Sequence, residues 1–115
     1  MGDLGWLYVT EGRYADAEPL LREAADRFEK AKSDGWQRYR VACALGMSLA
    51  GRKQYGEAEP LLVDGYQKMI ERKASNPADG RSEMAQAGEG IVRLYQDWGK
   101  PEKAGEWRQK LKEYR

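Results

Sequence analysis

The residues here best suited to chemistry are a single cysteine and many carboxylates, and each lacks the partner that reactivity needs. Cys43 is the sole thiol and the chain contains no histidine, so the commonest general base and the commonest metal ligand are both absent from the sequence. A thiol attacks as the thiolate, which needs a neighbouring cation or base. Cys43 instead lies between Ala42 and Ala44 in an apolar stretch, and reads as a small packing or groove residue. Gly88-Glu89-Gly90 has the glycines of a phosphate-cradling loop, but it falls inside a helical period, without the preceding strand or the lysine of such loops. Close helix packing explains it better. The acidic side chains alternate with basic ones at helical spacing, which is the pattern of a solvated face and not of paired carboxylates. These residues predict a chain that is not an enzyme and needs neither cofactor nor metal.

Composition narrows the remaining classes. At 115 residues the chain is expected to form one domain. Hydrophobic residues make up 41% and charged residues 34%, with a mean hydropathy of −0.89. That allows an apolar stripe on each helix but no membrane span. Twenty Lys plus Arg against nineteen Asp plus Glu leave a net charge of +1, too little to draw in nucleic acid or anionic lipid. Met1-Gly2-Asp3-Leu4 lacks the sections of a signal peptide, and one cysteine cannot form an internal disulfide. A cytoplasmic setting is expected.

The elements follow from a repeat. Ala17-Glu18-Pro19-Leu20-Leu21 returns 41 residues later as Ala58-Glu59-Pro60-Leu61-Leu62, and the same offset carries Leu4-Gly5 onto Leu45-Gly46 and Tyr14 onto Tyr55. Met1, Leu4 and Tyr8 step by three and four along one helical face until Gly12-Arg13 stops it. Tyr14, Ala17, Leu21, Ala24 and Phe28 then form the stripe of a longer helix reaching about Ala31. After turn chemistry at Ser33-Asp34-Gly35, a third helix is expected from Trp36 to Ala50. A fourth, with Tyr55, Ala58, Leu62, Tyr66, Met69 and Ile70, should run to about Lys73. Ser75-Asn76-Pro77-Ala78-Asp79-Gly80 reads as a loop. Beyond it Met84, Gly88, Ile91 and Tyr95 share one face, Gly99-Lys100 turns, and Ala104, Trp107, Leu111 and Tyr114 share another.

The spacing therefore predicts an all-α solenoid of three antiparallel helix pairs, about six helices, with units at about residues 1–35, 36–76 and 77–115. Pro19 and Pro60 fall at equivalent places inside the second helix of their pairs, where proline removes one backbone hydrogen bond. Two prolines in register predict a built-in bend and not a break.

Leu4-Gly5, Tyr8, Gly12, Tyr14, Ala17 and Ala24 together resemble the tetratricopeptide repeat, in which small residues let two antiparallel helices approach closely. The unit is longer than the usual ~34 residues, and Gly12-Arg13-Tyr14-Ala15-Asp16-Ala17-Glu18-Pro19-Leu20 resembles the kinesin-light-chain variety. The tail from Ile91 to Ala104, with Glu106-Trp107-Arg108, resembles the C-terminal end of tetratricopeptide segments in bacterial serine/threonine protein kinases. That second resemblance implies a trailing interaction segment of a longer signalling protein. Met1 also sits well inside its helix when compared with Trp36, as a fragment would. At the other end, Arg108, Lys110, Lys112 and Glu113 give the last helix a polar outer side, as a stacked array uses to stop.

The resemblance implies a protein or peptide partner held on the concave surface made by the first helix of each pair. Carried over by position, the groove-facing residues are Trp6, Val9 and Thr10, then Arg40, Cys43 and Met47, then Glu89, Arg93 and Gln96. That order runs from an apolar end to a charged one, suiting a peptide anchored near Trp6 and Met47 with an acidic group near Arg40 or Arg93. The alternative is that Trp6 and Met47 pack on an upstream helix or a neighbouring repeat. The residues with which some members clamp a chaperone's terminal carboxylate have no equivalent at Trp6, Cys43 and Met47. The asparagines of kinesin-light-chain repeats are replaced by Asp3 and Ala44. A rival reading is self-association or autoregulation, with a homodimer formed through Trp6 and Leu7 on a shortened first helix.

Overall fold

A computed structural model describes residues 2–32, 36–71 and 80–114, and among them it contains six helices and no strand. They are α1 (Gly2–Thr10), α2 (Tyr14–Lys30), α3 (Trp36–Gly51), α4 (Tyr55–Glu71), α5 (Gly80–Asp97) and α6 (Pro101–Tyr114). The turn expected at Ser33-Asp34-Gly35, the end of α4 at Lys73 and the loop from Ser75 to Asp79 lie outside the described residues. α5 starts at Gly80, which the sequence placed in the loop. The apolar stripe begins only at Met84, so the polar first turn leaves no periodic trace. Both proline-containing helices run unbroken. Pro19 and Pro60 are exposed, as are Ala15 and Gly56 four residues before them, so the freed carbonyls face water.

Each pair closes with the same backbone turn. Gly12, Lys53 and Gly99 occupy equivalent positions with φ of 77°, 65° and 78°. The amide of that residue bonds the carbonyl three back, and the next amide bonds the carbonyl five back. The long bonds are Arg13 to Tyr8, Gln54 to Leu49 and Lys100 to Tyr95, each 2.8 Å. This is the Schellman closure, in which a left-handed residue satisfies the last carbonyls of a helix. The following helix begins identically in all three units, with Ala17, Ala58 and Ala104 donating to Arg13, Gln54 and Lys100. Pro101 opens α6 at the first helical position, where its missing N–H has no bond to lose.

Within a pair, small residues set the approach. A Cβ at Gly46 would meet Leu62 Cβ at 3.0 Å and Ala58 O at 3.1 Å, so α3 and α4 touch nearly backbone to backbone. The third pair reverses the sizes one turn away. Gly65 on α4 lies against Ala42 and Cys43, whereas its counterpart on α6 is Leu111, which fills the space over Gly88 on α5. The helix-packing reading of Gly88 is thus correct, and the same holds at Gly90, where an added Cβ would meet the Met47 side chain at 3.0 Å.

The core runs continuously through the stack, from Leu21 and Ala24 through Val41, Leu45, Leu49, Leu62 and Met69 to Ile91, Leu94 and Trp107. The first helices of successive pairs contact one another, α1 against α3 and α3 against α5. Their shared face forms the inner surface. No helix among the described residues is long and apolar enough to cross a membrane.

Candidate functional site

The inner surface encloses a cleft of about 710 Å3. One wall comes from α1 and α3 with the tyrosines that open α2 and α4: Val9, Thr10, Tyr14, Met47, Ala50 and Tyr55. The other is one face of α5, where Gln86, Glu89, Arg93 and Asp97 recur at three- and four-residue intervals. Apolar and aromatic groups thus oppose a polar stripe. Arg93 is bound by Asp97 at 3.7 Å in an exposed ion pair. Glu89 and Lys53, on opposite walls, form no ion pair among the described residues.

The groove residues named from sequence fall into three groups. Val9, Thr10, Met47, Glu89 and Arg93 line this cleft. Gln96 lines a second hollow of about 430 Å3 between α5 and α6, with Val92, Arg108, Leu111 and Lys112; Glu89 and Arg93 border both. Trp6 and Arg40 sit together beside the first cleft and not in it. The Arg40 guanidinium lies 5.4 Å from the Trp6 ring centre, and the indole N–H donates to Gln86 Oε1 at 3.0 Å. Trp6 is only 7% exposed. Its expected role as an open apolar anchor is therefore corrected, since the alternative of packing on neighbouring repeats holds for it. The apolar surface of the self-association reading shrinks to Leu7, which is 51% exposed.

Cys43 is also corrected. It is fully buried, with Sγ 3.4 Å from Met69 Sδ and 3.8 Å from Leu62 O, so it faces α4 and not the cleft. The physical reason is Gly65, whose missing side chain leaves a space that the sulfur occupies. Burial pushes the thiol well above its ordinary range, away from the thiolate that nucleophilic chemistry needs.

Sequence reasoning missed Tyr14, Tyr55 and Gln86. The tyrosines were visible as repeat positions, but their reach was not. Each covers the end of the following unit's first helix. The Tyr14 ring lies over Gly51, where any added Cβ would collide with it, and Tyr55 stacks on Trp98 at 5.8 Å. Ser48 Oγ fixes the start of α2 by donating to the Tyr14 carbonyl at 2.9 Å. Gln86 carried no signal that spacing alone could read.

Compared with known proteins, residues 1–31 match the family model of the tetratricopeptide repeat. This stretch contains α1, its closing turn and α2. No curated protein and no solved structure matches the chain.

Proposed function

We propose that the chain, whose residues 1–31 match the tetratricopeptide-repeat family model, is a non-catalytic protein-interaction module that holds a peptide segment of its partner in the cleft between α1, α3 and α5. The observation that carries this reading is the lining itself. An apolar wall of Val9, Met47, Tyr14 and Tyr55 faces a polar stripe on α5, the mixture that gives a site both burial and orientation. The burial of Cys43 favours a non-catalytic role, since the one candidate nucleophile is sealed in the core.

The test uses a mixture of seven-residue peptides, acetylated and amidated, with all positions randomised and a fluorophore for anisotropy. Met47→Glu with Arg93→Glu places charge on the apolar wall and removes the arginine's positive charge from the α5 stripe, and should reduce binding at least tenfold while leaving the helical circular dichroism intact. Equal binding by the variant would remove the cleft from consideration.

Leu7 supports a second reading, self-association through α1, because a half-exposed leucine on that helix is available to a second copy. Light scattering over a hundredfold concentration range decides it, with a constant monomer mass counting against pairing.

A further inference from the structure

Gln86 is held in a way that gives it a direction. An indole nitrogen can only donate, so its bond from Trp6 requires the carboxamide oxygen at that position. The Arg40 guanidinium on the Trp6 ring keeps the indole in place. Gln86 lines the cleft, and its Nε2, carrying two N–H donors, meets no acceptor among the described residues. A carboxamide oriented by its oxygen and open at its nitrogen is suited to receive a carbonyl.

The neighbouring charges say what accompanies that carbonyl. Glu89 lies one turn along α5 from Gln86, about 5–6 Å away, and Arg93 is already engaged by Asp97. The uncommitted charge on this wall is therefore negative. Lys53 supplies a positive charge on the opposite wall, also uncommitted among the described residues. An extended strand points alternate side chains to opposite sides at about 3.3 Å per residue, so two adjacent residues of opposite charge satisfy both walls at once. A helix sends adjacent side chains to directions about 100° apart and fits this pair of walls less well.

We propose that the cleft takes an extended peptide segment containing adjacent basic and acidic residues. Gln86 donates to a backbone carbonyl, Glu89 takes the basic side chain, Lys53 takes the acidic one, and Trp6 positions Gln86. The proposal rests on the reading of the cleft as a peptide site.

The probes are four mixtures of acetylated, amidated seven-residue peptides. Two adjacent central positions are fixed as Lys-Glu, Lys-Lys, Glu-Glu or Ala-Ala, and the rest are randomised over uncharged residues. Wild type should bind the Lys-Glu mixture about threefold or more tightly than the other three, the scale of two exposed charge pairs. Gln86→Met should weaken binding of every mixture roughly three- to tenfold, the loss of one net hydrogen bond to the carbonyl. Trp6→Phe keeps a ring for packing but frees the carboxamide, so it should weaken binding by a smaller factor. Added to Gln86→Met it should weaken binding no further, because Trp6 acts through Gln86. Independent, multiplying losses would make Trp6 a merely structural residue and overturn its assigned role.

If Gln86→Met fails to fold by circular dichroism, Gln86→Glu serves in its place, since a carboxylate still accepts from Trp6 but cannot donate. It is read with the Ala-Ala mixture, where its charge has no partner. Wild-type binding by the Gln86 variant, with binding lost in the Met47 and Arg93 variant, overturns the role of Gln86 and leaves the cleft standing. Equal binding of all four mixtures overturns the charge assignment. Absence of binding to wild type overturns the cleft reading itself.

Discussion

The two junctions that join the three helix pairs share a glutamate and a covering tyrosine, and differ in what surrounds them. At each, the glutamate of the repeated Ala-Glu-Pro-Leu-Leu segment accepts from the following unit. Glu18 takes Arg52 at 2.9 Å, while Glu59 takes the Tyr95 hydroxyl at 2.7 Å and the Lys103 ammonium at 3.9 Å. Around Glu18 the first junction is polar and partly exposed, with Arg22 bridging to Glu57 at 3.5 Å and a backbone carbonyl bound by Ser48. The second is aromatic. Tyr55 and Tyr95 stack on Trp98 at 5.8 and 6.4 Å, and Tyr66 meets the edge of Trp107 at 6.1 Å. The repeated segment thus specifies an acceptor, and the next unit decides whether a surface cation or a buried hydroxyl fills it.

The largest break in that contrast should come from Trp107→Ala. The side chain is 5% exposed and its ring meets Tyr66 on α4. Truncating a buried tryptophan costs about 3–5 kcal/mol, read as a fall in the urea midpoint. Hydrogen exchange should then show α6 and the end of α5 opening before α2 and α3. Uniform loosening along the chain would mean that the junctions are not separately stable units.

Tyr95→Phe comes next, at about 1–2 kcal/mol, because it removes one buried hydrogen bond to a charged acceptor. It also changes the response to alkali. Burial first, and then the Glu59 carboxylate, hold the Tyr95 hydroxyl protonated well above the ordinary value of 10. An unfolded tyrosine ionises near 10, so the stabilisation is fully present below that pH and is lost as pH rises beyond it. Wild type should lose stability steeply above pH ~10, and Tyr95→Phe should flatten the slope. Some slope should remain from Cys43, whose buried thiol is raised in the same sense. A slope unchanged by the substitution would remove Tyr95 from the account.

How far these features could be read in the sequence depends on the range over which each is determined. The helix pairs and their turns are local. Period, small residues and a stop signal lie within a few residues of one another, and Lys53 adopts the same left-handed φ as Gly12 and Gly99 because the surrounding register demands it. Cys43 was misplaced because the groove pattern treats every first helix alike, whereas its direction depends on Gly65, about three turns into the next helix. Trp6 was misplaced because its partner Gln86 lies 80 residues away, and their meeting depends on the curvature of the whole stack. Tyr14 and Tyr55 were legible as repeat positions but not as cleft walls, since a cleft exists only once a second unit is stacked.

The finest discrimination between the junctions is their salt dependence. A double-mutant cycle on Glu18→Gln and Arg52→Ala measures an ion pair whose arginine side chain is 43% exposed. Exposed pairs couple by roughly 0.2–1 kcal/mol, and ions should screen this one, since the Debye length falls to about 3 Å at 1 M. A cycle on Glu59→Gln and Tyr95→Phe measures a hydroxyl donating to a carboxylate from a ring that is 4% exposed. Its coupling should be about 1 kcal/mol or more and nearly constant between low salt and 1 M, because a neutral donor has no charge to screen. If both couplings fall together as salt rises, the second junction is held by the Lys103 ammonium and not by the Tyr95 hydroxyl, and the two copies of the repeated glutamate do the same work after all.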